Sequence, residues 1–323
     1  MAMDTLHITD VAPRDGLQNQ SVHLSTEAKL GLIERLVKAG VRSVEATSFV
    51  SPKAVPQMAD AGEIVPRVIA RWPQLRSSVL VPNLKGLERA HAAGAQEIAV
   101  VLSATETMNR KNINMGLDEA LRVSEQTLAQ AHALGLRTRA YVAVAFDCPF
   151  EGETPLREVL RLAARMYAAD AGEVVIADTI GSAAPGEVRR RIAALRDVVP
   201  LERLAMHLHD TRGLGAANAW AALEAGVRRF DASVGGIGGC PFAPGAAGNL
   251  ATEDLVLMAE RSGLPTGISL DGLLDAVDFA EVQLERPLGG RSIAWLRRQR
   301  AKRLESEESL RQRGYTQFEE EKP

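Results

Sequence analysis

Eight short apolar runs, each followed by an amphipathic stretch, recur along this chain at intervals of about 30 residues. The runs are rich in β-branched residues and are bounded by polar, glycine or proline residues, which is typical of β-strands. They begin at Leu6, Ser43, Ser77, Glu97, Arg137, Glu173, Leu204 and Phe230. Eight strands that alternate with helices predict a parallel sheet closed into a (β/α)8 TIM barrel. An open doubly wound sheet is the alternative, but no G-x-G-x-x-G follows the first strand.

Capping residues mark the clearest helix boundaries. One helix is expected to begin at Ser25 or Thr26 and to end at Gly40, where a left-handed cap is expected. Another is expected to follow Pro185, because proline suits the first turn of a helix. From Gly267 the pattern changes to two helical segments, the second of them strongly charged. We therefore expect a barrel domain over residues 1–266 and a short C-terminal helical extension, residues 267–323, packed on the barrel.

Composition places the chain among globular enzymes. Hydrophobic residues make up 46% and charged residues 24% of the 323 residues, and the formal net charge of −3 gives no reason to expect nucleic acid or an anionic membrane as a partner. No apolar run approaches the roughly 20 residues that span a bilayer, and no targeting segment is visible. The two cysteines cannot form a disulfide framework. We expect a cytoplasmic enzyme, forming a homo-oligomer.

The segment His207-Leu208-His209 is the most informative motif. Residues two apart on a strand point to the same face, about 7 Å apart along it, so two imidazoles can converge on one ion. Taken alone, such a pair is more often two core or buried polar histidines than a metal site. It lies, however, at the C-terminal end of a predicted strand, where TIM-barrel active sites are found. We predict that both histidines bind a metal ion.

The segment from Pro13 to Gln18 ends the first predicted strand. Neighbouring residues of a regular strand face opposite sides, so Arg14 and Asp15 cannot both point inward there. Pro13 lacks an N–H group and Gly16 permits unusual backbone angles, so we expect the chain to leave the sheet at this point. Asp15 would then offer an anionic oxygen to a metal, and Arg14 could stabilise a developing oxyanion. A surface Arg–Asp turn is the alternative.

Two carboxylates, Glu45 and Asp178, lie near the ends of the second and sixth predicted strands. A carboxylate in that layer costs desolvation energy unless a cation, a metal or hydrogen bonds compensate. Asp10 could belong to the same polar cluster. A purely structural role, with Asp178 capping the following loop, is the alternative.

The eighth predicted strand leads into a loop of many glycines, from Gly235 to Asn249, that contains Cys240. Such a loop has little side-chain packing of its own, and a flexible lid carrying a reactive thiol fits it. An inert loop cysteine is the alternative. Asn249 could add a neutral oxygen ligand, and a set of one Asp, two His and one Asn suits Mg²⁺ or Mn²⁺ better than Zn²⁺.

Together these motifs resemble the 3-hydroxy-3-methylglutaryl-CoA lyase family of metal-dependent TIM barrels. The resemblance runs from about Leu6 to Pro287, and SVGGIGGCPFAPGAAGNLATEDL is its most specific part; APRDGLQNQ, EATSFVSPKAVPQMAD, RKNIN, ADTIG and HLHDT carry the rest. It implies a metal site of Asp15, His207, His209 and Asn249. It also implies catalytic roles for Arg14, Cys240 and His207, supported by Glu45 and Asp178. Substrate contacts are expected from Arg14, Gln18, Lys111 and Tyr141.

The reaction implied by the resemblance is a retro-Claisen cleavage of 3-hydroxy-3-methylglutaryl-CoA to acetyl-CoA and acetoacetate. A divalent metal would lower the pKa of the 3-hydroxyl group, and a base, His207 or an Asp, would take its proton. Arg14 would offset charge on the thioester enolate oxygen, and Cys240 would protonate the acetyl carbanion.

Two positions depart from the family pattern. Val175 lies where the family often has Ser, and Arg212 lies where it often has Tyr. A lyase for citramalyl-CoA or a longer-chain 3-hydroxyglutaryl-CoA therefore stays an alternative. A condensing synthase is less expected, because such barrels commonly have H-x-H-N-D where this chain has HLHDT. A barrel that binds ligand without catalysis is not expected, because Asp15, both histidines and Cys240 are all present.

Overall fold

A closed barrel of parallel strands forms the centre of the molecule, which confirms the predicted (β/α)8 fold. The computed structural model describes residues 5–239 and 248–312. The barrel closes because the first strand pairs with both the last and the second, with Thr9 opposite Asp231 on one side. The strands in chain order are β1 His7–Asp10, β2 Ser43–Ser48, β3 Arg76–Leu80, β4 Glu97–Ser103, β5 Arg137–Ala143, the short antiparallel pair β6 Asp147–Cys148 and β7 Gly152–Glu153, then β8 Glu173–Asp178, β9 Leu204–Leu208 and β10 Arg229–Ala232.

Helices surround the barrel. They are α1 Thr26–Lys38, α2 Ala61–Arg71, α3 Leu84–Ala92, α4 Glu106–Ile113, α5 Leu117–Ala133, α6 Leu156–Ala168, α7 Pro185–Leu195, α8 Gly215–Glu224, α9 Thr252–Arg261, α10 Leu270–Leu284 and α11 Ile293–Gln312. The predicted boundaries are confirmed where caps marked them. The Oγ of Ser25 accepts a hydrogen bond from the N–H of Ala28 at 3.2 Å, Gly40 has a φ of +98°, and α7 begins at Pro185. None of the described helices is long and apolar enough to cross a membrane.

The core has two parts. Between the strands and the helices lies a continuous layer of aliphatic side chains, in which Leu30, Ile33 and Leu36 of α1 are fully buried. Inside the barrel is a smaller apolar cluster that consists of Leu80, Ala99, Tyr141, Val175 and Ala205. This inner cluster packs beneath the carboxyl ends of the strands and so forms the apolar floor of whatever site lies there.

Of the C-terminal helices, α10 packs against α1, and α11 packs against α10. The N–H group of Ser269 donates to the carbonyl of Ala39 at 2.7 Å, and the guanidinium of Arg35 lies 3.7 Å from the centre of the Phe279 ring. Basic residues of α11 form ion pairs with acids of α10, namely Arg297 with Asp278 and Glu281, Arg300 with Asp275, and Arg303 with Asp271. The helical extension is therefore present, while a domain boundary between residues 266 and 267 stays a prediction.

Candidate active site

A cavity of ≈ 550 Å³ opens at the carboxyl ends of the barrel strands. Its wall combines Leu80 and Tyr141 of the inner apolar cluster with polar groups from the segments that follow β1, β4 and β9. Predicted site residues that line it are Arg14, Asp15, Gln18, Lys111, Tyr141, His207 and His209. Seven of the predicted site residues thus share one cavity, whereas Glu45, Asp178 and Asn249 do not line it.

The chain leaves the sheet directly after β1, as the sequence predicts. Residues Ala12–Gly16 form one turn of π-helix, with Pro13 in its first turn. Buried Asp10 anchors this turn, because its Oδ1 accepts the N–H of Ala12 at 2.9 Å. Its Oδ2 accepts from the N–H of Val234 at 3.0 Å and from the hydroxyl of Thr252 at 2.7 Å. The turn lets both Arg14 and Asp15 reach the cavity.

Arg14 is held on two sides by carboxylates. Its Nε donates to Glu45 Oε2 at 2.7 Å, and its Nη1 donates to Asp15 Oδ1 at 2.9 Å. Glu45 is fully buried and does not line the cavity, so it acts on Arg14 rather than on a ligand. Burial raises the pKa of Glu45, although the charge of Arg14 opposes that rise. The guanidinium group is therefore fixed in place at the base of the cavity wall.

Asp15, His207 and His209 form a compact cluster whose potential ligand atoms all lie within 4.8 Å of one another. The two Nε2 atoms of the histidines are 3.2 Å apart. Ligand atoms about 2.1 Å from one ion, on neighbouring coordination positions, lie about 3.0–3.4 Å apart. The imidazole spacing therefore fits a shared divalent ion.

Electrostatics favour the metal-binding forms of Asp15 and His209. Burial would raise the pKa of Asp15, but Arg14 and both histidines hold it below its usual value, so the carboxylate is ionised. Burial and the neighbouring His207 lower the pKa of His209 to about 4, so its imidazole is neutral near pH 7. A metal ligand needs an ionised carboxylate and a neutral imidazole.

Asn249 completes the cluster from the far end of the glycine-rich loop. It pairs with His209 as an isolated β-bridge, and its Nδ2 donates to Asp15 Oδ2 at 2.8 Å and to the carbonyl of Ile237 at 3.1 Å. Its Oδ1 is buried and has no hydrogen-bond partner among residues 5–239 and 248–312. Because an unpartnered buried oxygen is costly, a cation bound beside Asp15 would satisfy it. The donor set thus fits the predicted metal site.

Asp178 faces the loop after β8. Its two oxygens accept from the N–H groups of Ser182 at 2.8 Å and Ala183 at 3.1 Å, and burial raises its pKa to about 6. This geometry corresponds to the capping role that the sequence left open, and a catalytic role for Asp178 stays a prediction. Cys240 lies outside the described residues. Cys148 is buried, and its Sγ lies 3.1 Å from the hydroxyl of Thr105.

The expected substrate contacts differ in character. Tyr141 contributes its ring to the cavity, but its hydroxyl donates to Asp231 Oδ2 at 2.7 Å. Lys111 is an exposed cation on α4, with its Nζ 4.9 Å from the centre of the Phe150 ring. Gln18 donates to Asp15 Oδ1 at 3.3 Å. Lys111 is thus placed to meet an anionic group at the mouth of the cavity, whereas Gln18 contacts Asp15, one of the three residues of the candidate metal site.

Sequence reasoning missed an interior ion-pair group behind the histidines. Asp231 of β10 lies 3.2 Å from His207 Nδ1, and Arg139 of β5 donates to Asp231 Oδ1 at 2.6 Å. Both side chains are almost completely buried. The available signal was an arginine and an aspartate inside two short predicted strands, where a buried charge needs a partner.

Comparison with known proteins agrees with the site. The HMGL-like family model matches residues 5–280. Hydroxymethylglutaryl-CoA lyase YngG from Bacillus subtilis is 42% identical over 286 residues, which cover 88% of this chain and 95% of that protein. The crystal structure of the Bacillus subtilis HMG-CoA lyase matches with a TM-score of 0.88 at 40% identity and covers 92% of this chain and 100% of that one.

A further solved structure carries a ligand. It is an HMG-CoA lyase from Acinetobacter baumannii in complex with coenzyme A and 3-methylmalate, and it matches with a TM-score of 0.86 at 40% identity. The match covers 90% of this chain and 95% of that one. The family model covers most of the chain, and the relatives are well above 30% identical over nearly their whole lengths. The resemblance found in the motifs is therefore confirmed, and the chain belongs to the HMGL-like family.

Proposed function

We propose that this protein is a divalent-metal-dependent lyase that cleaves 3-hydroxy-3-methylglutaryl-CoA to acetyl-CoA and acetoacetate. The predicted family and reaction class, carbon–carbon bond cleavage, are confirmed by the relatives. The observation that carries the proposal is the cluster of Asp15, His207 and His209 beside Arg14 in one cavity at the barrel mouth. It brings a cation site and an oxyanion donor to the same place.

The metal proposed for this site is Mg²⁺ or Mn²⁺. One carboxylate, two imidazoles and the amide oxygen of Asn249 leave positions for oxygen atoms of a substrate, and no thiolate is among the described donors. A bound divalent ion would supply Lewis acidity that lowers the pKa of a hydroxyl group. Asp15 lines the cavity, and its carboxylate has a second oxygen that can accept the hydroxyl proton when the first binds the ion.

Arg14 has donors to spare for the substrate. A guanidinium group has five N–H bonds in a fixed plane. Glu45 Oε2 meets one N–H of Nε and one of Nη2, and Asp15 Oδ1 accepts one from Nη1. The remaining N–H groups can meet an oxygen in the cavity, and charge that develops on a thioester oxygen during bond cleavage would strengthen that contact. We assign Arg14 to this role.

Cys240 is proposed as the proton donor to the acetyl carbanion. Gly239, the residue before it, lines the cavity, and the carbonyl of Gly239 accepts from Asn19 Nδ2 at 3.4 Å. A thiol with a pKa near 8.5 is a far better acid than a hydroxyl group. In the sequence, a suitable acid therefore follows directly after a residue of the cavity lining.

The acyl group is the part of the substrate on which this chain departs from the family pattern. Val175 belongs to the apolar floor beneath the cavity and is fully buried. Arg212 lies outside the cavity lining and approaches the carbonyl of Gly181 at 3.5 Å. Neither side chain lines the cavity, but Val175 packs in one cluster with Leu80 and Tyr141, which do line it, so Val175 is the departure nearer to the site. Replacing a family serine by valine removes a hydroxyl group beside the site, so citramalyl-CoA and longer-chain 3-hydroxyglutaryl-CoA thioesters belong in the test.

Acetyl-CoA release from a panel of 3-hydroxyacyl-CoA thioesters tests the proposal. The panel contains the 3-methylglutaryl, citramalyl and longer-chain thioesters, and each is incubated with protein loaded with Mg²⁺ or Mn²⁺. We expect rapid cleavage of the 3-methylglutaryl thioester, loss of activity in EDTA and recovery on adding the metal. Faster condensation of acetyl-CoA with a 2-oxo acid would identify a synthase instead. Full activity in protein shown to be metal-free would refute the metal dependence.

An acyl-CoA partner is supported by the coenzyme A bound to the Acinetobacter baumannii relative. The predicted homo-oligomer and the predicted cytoplasmic location stay predictions. Size-exclusion chromatography with light scattering measures the oligomeric state directly.

A further inference from the structure

The carboxylate of Asp231 lies behind His207, on the side away from the cavity. We infer that Asp231, held in place by Arg139, is a positioning residue that fixes which ring nitrogen of His207 faces the metal cluster. The inference rests on the proposed metal-dependent function, but its test measures metal binding and not turnover.

The direction of each hydrogen bond between Arg139 and His207 follows from the chemistry of the groups. Arginine only donates, so the hydroxyl of Tyr141 accepts from Arg139 Nη1 at 3.0 Å and must direct its own hydrogen to Asp231 Oδ2 at 2.7 Å. Asp231 Oδ1 accepts from Arg139 Nη2 at 2.6 Å. Surrounded by donors, the carboxylate is an acceptor for His207 as well. His207 Nδ1, 3.2 Å from Oδ2, therefore carries the hydrogen.

The position of that hydrogen decides the chemistry of the opposite nitrogen. With Nδ1 protonated, the neutral ring keeps its lone pair on Nε2, which is the atom 3.2 Å from His209 Nε2 and inside the cluster with Asp15. A carboxylate behind a ligating histidine fixes both the tautomer and the ring orientation, and losing it typically weakens metal binding 10- to 100-fold.

Arg139 is itself anchored from the other end of the barrel. Its Nε donates to Glu173 Oε1 at 2.7 Å, and Glu173 also meets Arg229 at 3.4 Å and Arg76 at 3.8 Å. These last residues line a second cavity, of ≈ 850 Å³, at the amino ends of the strands. A series of ion pairs thus crosses the barrel interior from Glu173 through Arg139 and Asp231, and it ends at His207 of the candidate metal site.

This arrangement makes Asp231→Asn a usable variant. Arg139 keeps its second carboxylate, Glu173, so the substitution does not leave an unpaired buried charge. Glu97→Gln is the matched control, because Glu97 is also fully buried and paired with arginines, Arg76 and Arg137, but at the opposite end of the barrel.

Calorimetric titration with Mn²⁺, checked by electron paramagnetic resonance of the bound ion, compares the wild type with both variants. We expect Asp231→Asn to raise the dissociation constant 10- to 100-fold and Glu97→Gln to change it less than about twofold, a margin set well below that range. Equal loosening by both variants, or unchanged binding in Asp231→Asn, would overturn the inference. A wild type that binds no Mn²⁺ would instead overturn the proposed metal dependence.

The wild-type protein offers a second measurement that does not depend on any variant folding. In protein labelled with ¹⁵N-histidine and loaded with diamagnetic Mg²⁺, we expect the His207 signals to show a protonated Nδ1 and an unprotonated Nε2. A proton on Nε2 would overturn the assignment of Asp231.

Discussion

Replacing Arg14 by methionine separates transition-state stabilisation from substrate binding. Methionine has similar length but neither charge nor donors. Arg14→Met removes the guanidinium group of a residue that lines the cavity and also the ion-pair partner of Glu45. If the guanidinium stabilises an oxyanion that forms only during bond cleavage, kcat should fall while KM changes little.

The structure sets the expected size of both effects. Losing one such donor typically lowers kcat about 100- to 1,000-fold. Glu45 is completely buried, and its Oε1 already lacks a hydrogen-bond partner among the described residues. Removing Arg14 leaves that carboxylate without its hydrogen-bonded cation, and breaking a buried ion pair in this way costs about 3–5 kcal/mol of unfolding free energy. Lower stability is therefore expected alongside lower turnover.

A double variant separates the two effects. In Arg14→Met with Glu45→Gln, no buried charge is left unpaired, so the free energy of unfolding should recover most of the loss. Turnover should not recover, because the oxyanion donor is still missing. Steady-state kinetics at saturating Mn²⁺ and urea unfolding of the wild type, both single variants and the double variant provide the four corners of the cycle.

Two results would contradict the reasoning. If Arg14→Met changes KM alone, the side chain binds substrate and transition state equally. If the double variant regains wild-type kcat, the single variant lost activity through distortion around unpaired Glu45, and Arg14 has no direct catalytic role.

Three further predictions concern a buried acid, the glycine-rich loop and the two cysteines. Burial raises the pKa of Glu253 to about 7, so the folded protein binds the proton of this carboxyl group more tightly than the unfolded chain does. The resulting stabilisation is complete below pH 4.5. It is lost as pH rises from about 4.5 to about 7, which lowers the free energy of unfolding by about 3 kcal/mol. In Glu253→Gln, calorimetry should show a free energy of unfolding that falls less steeply with pH over that window. A Cβ at Gly238 would lie 2.4 Å from Asn249 Nδ2, whereas one at Gly239 meets no described atom within 4 Å, so Gly238→Ala should weaken Mn²⁺ binding about tenfold and Gly239→Ala should not. Cys240→Ser should keep metal and substrate binding but lose most turnover, while Cys148→Ser should retain most of it; near-normal turnover in Cys240→Ser would return that loop to a structural role.

The barrel and its rim could be predicted because both depend on local rules. Strand and helix periods revealed eight βα units, and parallel strands of a barrel all end at one mouth. The departure of the chain after β1 was predictable from Pro13 and Gly16, and the observed π-helical turn confirms it. Helix α4, in contrast, was not anticipated, because its sequence ETMNRKNI has no strong apolar stripe.

The interior ion pairs could not be located in the same way. Arg139 and Asp231 are separated by 92 residues and lie on strands that are not neighbours in the barrel. Each charge is visible in the sequence, but only closure of the barrel determines which opposite charge it meets. Side-chain partners of this kind follow from the three-dimensional arrangement of strands and not from any motif.

The two histidines of the H-x-H motif show how the fold adds information to a symmetric pattern. The motif predicts two equivalent ligands on one face of β9. In the barrel, His207 lies deeper, where the carboxylate of Asp231 opposes the effect of burial and raises its pKa. His209, one step nearer the mouth, meets no such carboxylate behind its ring among the described residues, and its buried Nδ1 has no partner there. A strand advances about 7 Å over two residues. This offset places the carboxylate of Asp231 behind His207 but not behind His209. Asp231 therefore fixes the tautomer of His207, whereas the ring of His209 is oriented by its neighbours in the cluster, Asp15 and His207.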